Sequence, residues 1–242
     1  MAKKSGSNKL KRLAAPKMWD LERKRKRFVF KTLPGPYATE KSYPLGVIIR
    51  DLAHLTKNER EASYIVNAGK VLVDGKVRKS LSFPVGLFDT VSIPSEELKF
   101  RIVPSPKGLL LSKIEEKEAD QKLCGINTKV MVRGGHLQYG LHDGRSLLSD
   151  SLGLAPGDAV LLEVRTQKVL DKVKLAKNSL ALVLSGERAG QLGKVVDVKK
   201  GTITRERMVK VDLPSGEAEI PSRIVFPVGT TKPLITVGVG VR

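Results

Sequence analysis

The residues of this chain that could carry acid–base, nucleophilic or metal chemistry are few and badly spaced for it. Its 242 residues include three histidines and one cysteine. His136, His142 and Asp143 fall close together and could begin a metal or acid–base site, but His54 lies far off in a helical region and Cys124 has no second thiol. A closed zinc site needs four ligands of these types. The histidines therefore read as turn residues of a β hairpin, and Cys124 as a small buried apolar side chain. Gly190-Gln191-Leu192-Gly193-Lys194 hints at a loop that cradles phosphate. The spacing before Gly193-Lys194 is wrong, and Val195 stands where the magnesium-binding hydroxyl belongs. No catalytic residue, cofactor, metal or small-molecule substrate is expected.

What the chain does carry is positive charge. Met1 to Lys31 holds twelve lysines and arginines against Asp20 and Glu22, which is +10 of the formal +19. Such a segment repels itself and is expected to need a polyanion to fold against. Counterion release from nucleic acid phosphates supplies that drive with little regard to base sequence. The middle of the chain is nearly neutral, and residues 171–212 carry a further +5. Aromatics are 5% of the residues, too few for a platform on which splayed bases stack. A lone cysteine fits a reducing cytosol, and no apolar run approaches the ~20 residues that span a bilayer.

The elements that must position these charges are short. Leu33-Pro34-Gly35-Pro36 is a breaker and marks the end of a basic arm, residues 1–36. Leu45, Ile48, Ile49, Leu52 and Leu55 predict a helix over Leu45–Leu55. Thr56 and Glu59 predict a capping box for a second helix that Gly69 ends. Asp74-Gly75 between Val71 and Val77 predicts a tight hairpin. Strand material runs from Phe83 to Ile93, closing a domain at residues 37–94. A short helix over Lys113–Leu123 and strands at Phe100–Val103, Leu109–Lys113, Thr128–Val132, Ser146–Leu148 and Ala159–Val164 make a central β domain, residues 95–170. Leu180–Leu184, Lys194–Val198, Met208–Val211 and Arg223–Phe226 suggest a small, partly open barrel over residues 171–242. The fold class is α+β, mostly β.

Three resemblances follow from these residues. Arg60-Glu61-Ala62 followed by Ala68-Gly69-Lys70-Val71-Leu72-Val73-Asp74-Gly75-Lys76-Val77 resembles the S4-type RNA-binding domain. Its exposed side would carry Arg50, Lys57, Arg60, Lys70, Lys76 and Arg78. Leu184 to Val195 resembles a KOW motif, whose glycine turn would bring Arg188, Gly190 and Lys194 close to RNA. Lys9-Leu10-Lys11-Arg12-Leu13-Ala14-Ala15-Pro16-Lys17 with Trp19, Tyr43-Pro44-Leu45, Lys122-Leu123-Cys124 and Thr231-Lys232-Pro233 fall in the order of the S4e family of small-subunit ribosomal proteins. The chain ends soon after the last of these, which favours an archaeal-type member.

That resemblance implies a structural constituent of the small subunit, cytoplasmic, with small-subunit rRNA and neighbouring ribosomal proteins as partners. It also implies a C-terminal SH3-like KOW barrel. In the arm, Lys9, Lys11, Arg12, Lys17, Arg23, Arg25 and Arg27 would meet phosphates. Trp19 would either stack on a base or anchor the arm apolarly. Two other classes stay open at this level: an RNA-modifying enzyme, whose catalytic domain residues 95–170 do not visibly supply, and a transient translation or transcription factor using the KOW turn.

Overall fold

From residue 9 on, the basic segment folds on the protein itself. In the computed structural model, which describes residues 9–202 and 204–237, Leu10–Lys11 (β1) pairs antiparallel with Phe28–Val29 (β2). Between them Ala15 and Trp19 join the first hydrophobic core, as does Val29. Trp19 is 2% exposed, its indole N–H donates to the Ser42 carbonyl at 2.8 Å, and its ring stacks on Tyr43 at 5.9 Å. Arg23 donates to the carbonyls of Ala15 and Pro16, each at 2.9 Å. The expectation that the arm needs a polyanion to fold is corrected for residues 9–31. A buried indole with its hydrogen bond offsets the ordering cost that charge alone would leave unmet. Lys3 and Lys4 lie outside the described residues.

The first module begins with Ser42–Pro44 (β3) and Leu45–Val47 (α1), which runs into a wider π turn at Ile48–Leu52. The helix expected over Leu45–Leu55 is therefore cut short. Ala53 N–H reaches back five residues to Ile48, and His54, at φ +53°, ends the turn. Glu59–Asn67 (α2) follows, with its capping box at Asn58 and Glu61 rather than at Thr56 and Glu59. Thr56 is buried, whereas the extended Asn58 stands at the helix mouth. Leu72–Val73 (β4) and Lys76–Val77 (β5) form the expected hairpin, with Asp74 and Gly75 both at positive φ as a two-residue turn of this kind requires.

Pro84–Gly86 (β6) pairs with β3, while Thr90–Ile93 (β7), Leu98–Ser105 (β8) and Gly108–Lys113 (β9) extend an antiparallel sheet in the order β5-β4-β7-β8-β9. This sheet runs past residue 94, where the sequence suggests a domain edge. Pro94 to Glu97 is the turn of a hairpin between β7 and β8.

Only one helical turn, Glu116–Ala119 (α3), forms in the stretch 113–123, because Lys113 completes β9 and Gln121 opens the next strand. The central sheet contains Gln121–Met131 (β10), Leu137–Leu141 (β11), Ser146–Leu148 (β12), Ala159–Glu163 (β13) and Val169–Val173 (β14) in the order β12-β11-β10-β13-β14. The third module contains Leu180–Val183 (β15), Leu192–Lys199 (β16), Met208–Leu213 (β17), Gly216–Pro221 (β18) and Val225–Gly229 (β19). It is an antiparallel meander whose last strand returns beside β15, giving the order β18-β17-β16-β15-β19. The fold is α+β and mostly β. Strands β14 and β18 escape sequence reading because they are polar edge strands, with Asp171 and Lys172 in one and Glu217 and Glu219 in the other.

One core joins the modules. Phe88 from the first, Leu123 and Leu161 from the second, and Leu182 and Phe226 from the third pack together. Phe88 is fully buried at φ +61°, an unfavourable conformation for a bulky residue, and meets Phe226 edge to face at 5.0 Å. A Cβ on Gly125 would lie 2.7 Å from the Phe226 ring, so a side chain there would push β10 off the third module.

Candidate nucleic-acid interface

The arm presents Lys9, Lys11, Lys17, Arg25 and Arg27 at the surface. Lys9 and Arg27 flank the Phe28 ring at 5.8 and 5.3 Å. Arg12 does not join them. It is 1% exposed, and its guanidinium donates to the Glu22 carbonyl and to Asp51 Oδ1, both at 2.7 Å. Arg50, also buried, donates to Asp51 Oδ2 at 2.7 Å and lies over Phe30. Arg12, Arg50 and the half-buried Arg23 are thus corrected from RNA contacts to fasteners of the arm. Terminal guanidinium nitrogens of each are engaged within the protein, and a phosphate would have to displace Asp51 or backbone carbonyls.

On the first module Lys57, Arg60, Lys70 and Lys76 are exposed, whereas Arg78 is half-buried with its guanidinium 4.3 Å from the Phe83 ring centre. On the third module Lys194 is exposed and Arg188 is partly so. Gly190 has a packing duty that its sequence does not announce. It sits at φ +80°, and a Cβ there would lie 2.7 Å from the Pro104 carbonyl, so its smallness lets the glycine turn sit against β8 of the first module.

The strongest electrostatics are buried between the first and central modules. Lys122, 0% exposed, donates to Asp74 Oδ2 at 2.7 Å and to Asp89, and stands 3.1 Å from Asp143 Oδ2. Arg145 adds a 2.7 Å bond to Asp74 and a 3.2 Å contact with Asp143. The Tyr37 hydroxyl donates to Asp89 Oδ1 at 2.6 Å, and the Gly86 N–H donates to Oδ2 at 2.9 Å. Burial and the nearby Asp74 charge raise the Asp89 carboxyl to about 6, against the pull of Lys122. Burial would lower Lys122, but Asp89 and Asp74 outweigh it and hold the ammonium protonated far above its ordinary range. His142, beside this cluster, accepts the Gly125 N–H on Nδ1 at 3.1 Å and has Nε2 3.2 Å from the Leu87 carbonyl. These partners assign a neutral ring protonated on Nε2. Burial, aided by the Lys122 charge, drops its pKa to about 4.

Asp143 and Cys124 thus line an ion network in the protein interior. Cys124 is fully buried, as its apolar reading requires. Sequence reasoning missed this network. Asp74 looked like a turn residue and Lys122 like one more cation, and the one signal was a lysine placed beside an otherwise apolar strand segment, Leu123 to Ile126.

The chain matches the model of ribosomal family S4e over residues 95–169 and that of the RS4NT (NUC023) domain over residues 4–40. It is 42% identical to small ribosomal subunit protein eS4 of Methanothermobacter thermautotrophicus, over 86% of this chain and 85% of that protein. The eS4 of Methanosphaera stadtmanae is 38% identical over 98% of each chain. The chain belongs to the S4e family. A crystal structure of the 30S ribosomal protein S4e from Thermoplasma acidophilum superposes with a TM-score of 0.68 at 29% identity, covering 79% of this chain and 96% of that one. S4e proteins are structural ribosomal proteins and not enzymes, and the network around Lys122 is accordingly a structural device of this S4e chain.

Proposed function

We propose that this S4e chain is a cytoplasmic constituent of the small ribosomal subunit, where it binds and stabilises small-subunit rRNA beside neighbouring ribosomal proteins. The observation that carries the reading is the placement of its exposed cations. Lys9, Lys11, Lys17, Arg25 and Arg27 stand on an arm pinned by Trp19 to the module that bears Lys57, Arg60, Lys70 and Lys76. Cations held on a folded surface neutralise phosphates without first ordering the chain, and so fix the register of RNA helices that otherwise repel. At these exposed cations the contacts are with phosphates and 2′-hydroxyls rather than with base edges.

The test is binding of full-length protein to small-subunit rRNA across a salt series. Exchanging Lys9, Lys11, Lys17, Arg25 and Arg27 for Gln leaves the arm's buried fasteners in place. It should lower the slope of log K against log salt by about 0.7–0.9 for each phosphate that the protein no longer neutralises. An unchanged slope overturns the role of the arm. Sedimentation of tagged protein with small subunits through a high-salt sucrose gradient separates an integral constituent from a transient factor, which would wash off.

A further inference from the structure

Between the docked arm and the first module runs an open groove of about 1220 Å³. It is larger than the roughly 300–1,000 Å³ that encloses a small ligand, and it is open to solvent, so it suits a length of polymer. Its lining carries seven lysines and arginines against three carboxylates. Asp51 is engaged by Arg12 and Arg50, and Glu22 by Arg25, which leaves Asp20 as the remaining acid. Lys26, Lys107 and Lys113 are exposed at its rims. The floor is apolar, with Leu52, Ala53, Leu98, Phe100 and Leu110. The Thr56 hydroxyl, in the lining, has no partner within the protein.

We propose that this groove seats an unpaired segment of RNA, with its phosphates on the lysine rims and its bases against the apolar floor. A duplex keeps its base faces stacked inside and would leave that floor unused, whereas an unpaired strand has both base faces and phosphates to place. At one end Ser105 lines the groove, and a Cβ on Gly190 of the third module would lie 3.4 Å from the Ser105 Cα, so the two segments adjoin. A strand leaving that end passes onto the glycine turn that carries Arg188. The inference rests on the rRNA reading above and adds to it Lys26, Lys107, Lys113 and the single-stranded character of the contact.

The experiment uses full-length protein, labelled oligouridine, an RNA duplex of equal length, and small-subunit rRNA. The triple variant K26E/K107E/K113E should bind oligouridine at least about tenfold more weakly than the native chain. The control K168E/K172E/K174E makes the same charge change on exposed residues of other modules and should weaken binding less than about threefold. If the acidic triple lowers the melting temperature, the Gln triple takes its place. Ultraviolet cross-linking to rRNA should label peptides spanning residues 52–57 and 107–113. Equal weakening in the two triples, a loss of duplex binding in K26E/K107E/K113E as large as its loss of oligouridine binding, or rRNA binding without cross-links in the groove would each overturn the proposal while leaving the rRNA reading intact. Failure of the native chain to bind rRNA at all would instead sink that reading, and this one with it.

Discussion

Replacing Lys122 by Met tests whether the buried ion network holds the first and central modules together. The ammonium meets Asp74 at 2.7 Å, Asp143 at 3.1 Å and also Asp89, with Arg145 as the other cation. At an effective dielectric of about 20, each ion pair near 3 Å is worth roughly 5–6 kcal/mol of attraction. Desolvating the ions takes back most of that sum. Met keeps the volume but leaves three buried carboxylates facing one guanidinium, and removing one partner of such a set typically costs about 3–5 kcal/mol. For a chain of this size that corresponds to a fall in melting temperature of roughly 6–20 °C.

Thermal unfolding followed by circular dichroism at pH 7 reads the destabilisation. Because Asp89 already holds its proton up to about pH 6, it is the first to neutralise when Lys122 is gone, so the penalty should shrink at pH 5. The double variant K122M/D89N should recover more than half of the stability, since the two sites touch directly and do not add. A K122M protein melting within about 2 °C of the native chain at pH 7 would refute the reasoning.

Asp89 and His142 should make stability respond to acid in opposite senses. Asp89, raised in the folded state to about 6, contributes stability that is present below its unfolded pKa near 3.8 and lost as pH rises through 6. His142, lowered from 6.5 to about 4, contributes stability that is present above 6.5 and lost as pH falls through 4. In H142Q, urea unfolding between pH 6.5 and 4 should therefore lack the destabilisation on acidification that the native ring causes, a difference of at most about 3 kcal/mol; a gap between the two proteins that does not change with pH would contradict this. Trp19→Ala should cost about 3–5 kcal/mol in protein free of RNA, read by denaturant unfolding, and an unchanged midpoint would mean that the arm is not docked. Gly190→Val places a β-branched residue at φ +80° against Pro104, so limited proteolysis should cut faster between the third module and the rest, whereas His136→Ala, on an exposed hairpin, should leave the pattern as it is.

Composition and spacing settled a good deal without coordinates. Density of cations, the lack of a workable ligand set around His136 and His142, the Asp74-Gly75 turn and the alternation of the β strands are local properties. Each is written into a few adjacent residues, and the Asp74-Gly75 turn and the strand alternation stand in the fold as the sequence reads. The α2 cap was legible in kind and misplaced by two residues, because Thr56 and Asn58 are both competent caps and only burial chose between them. What sequence could not decide was which cations are free. Arg12 and Arg25 look alike in a basic run, yet one is locked on Asp51, 39 residues away, and the other faces solvent with only the exposed Glu22 beside it. The same holds for Lys122, whose partners come from positions 74, 89 and 143, and for Gly190, whose neighbour is Pro104. Whether a charge is desolvated and paired depends on contacts between distant segments, and those exist only once the modules have packed; a local pattern holds the charge but not its surroundings.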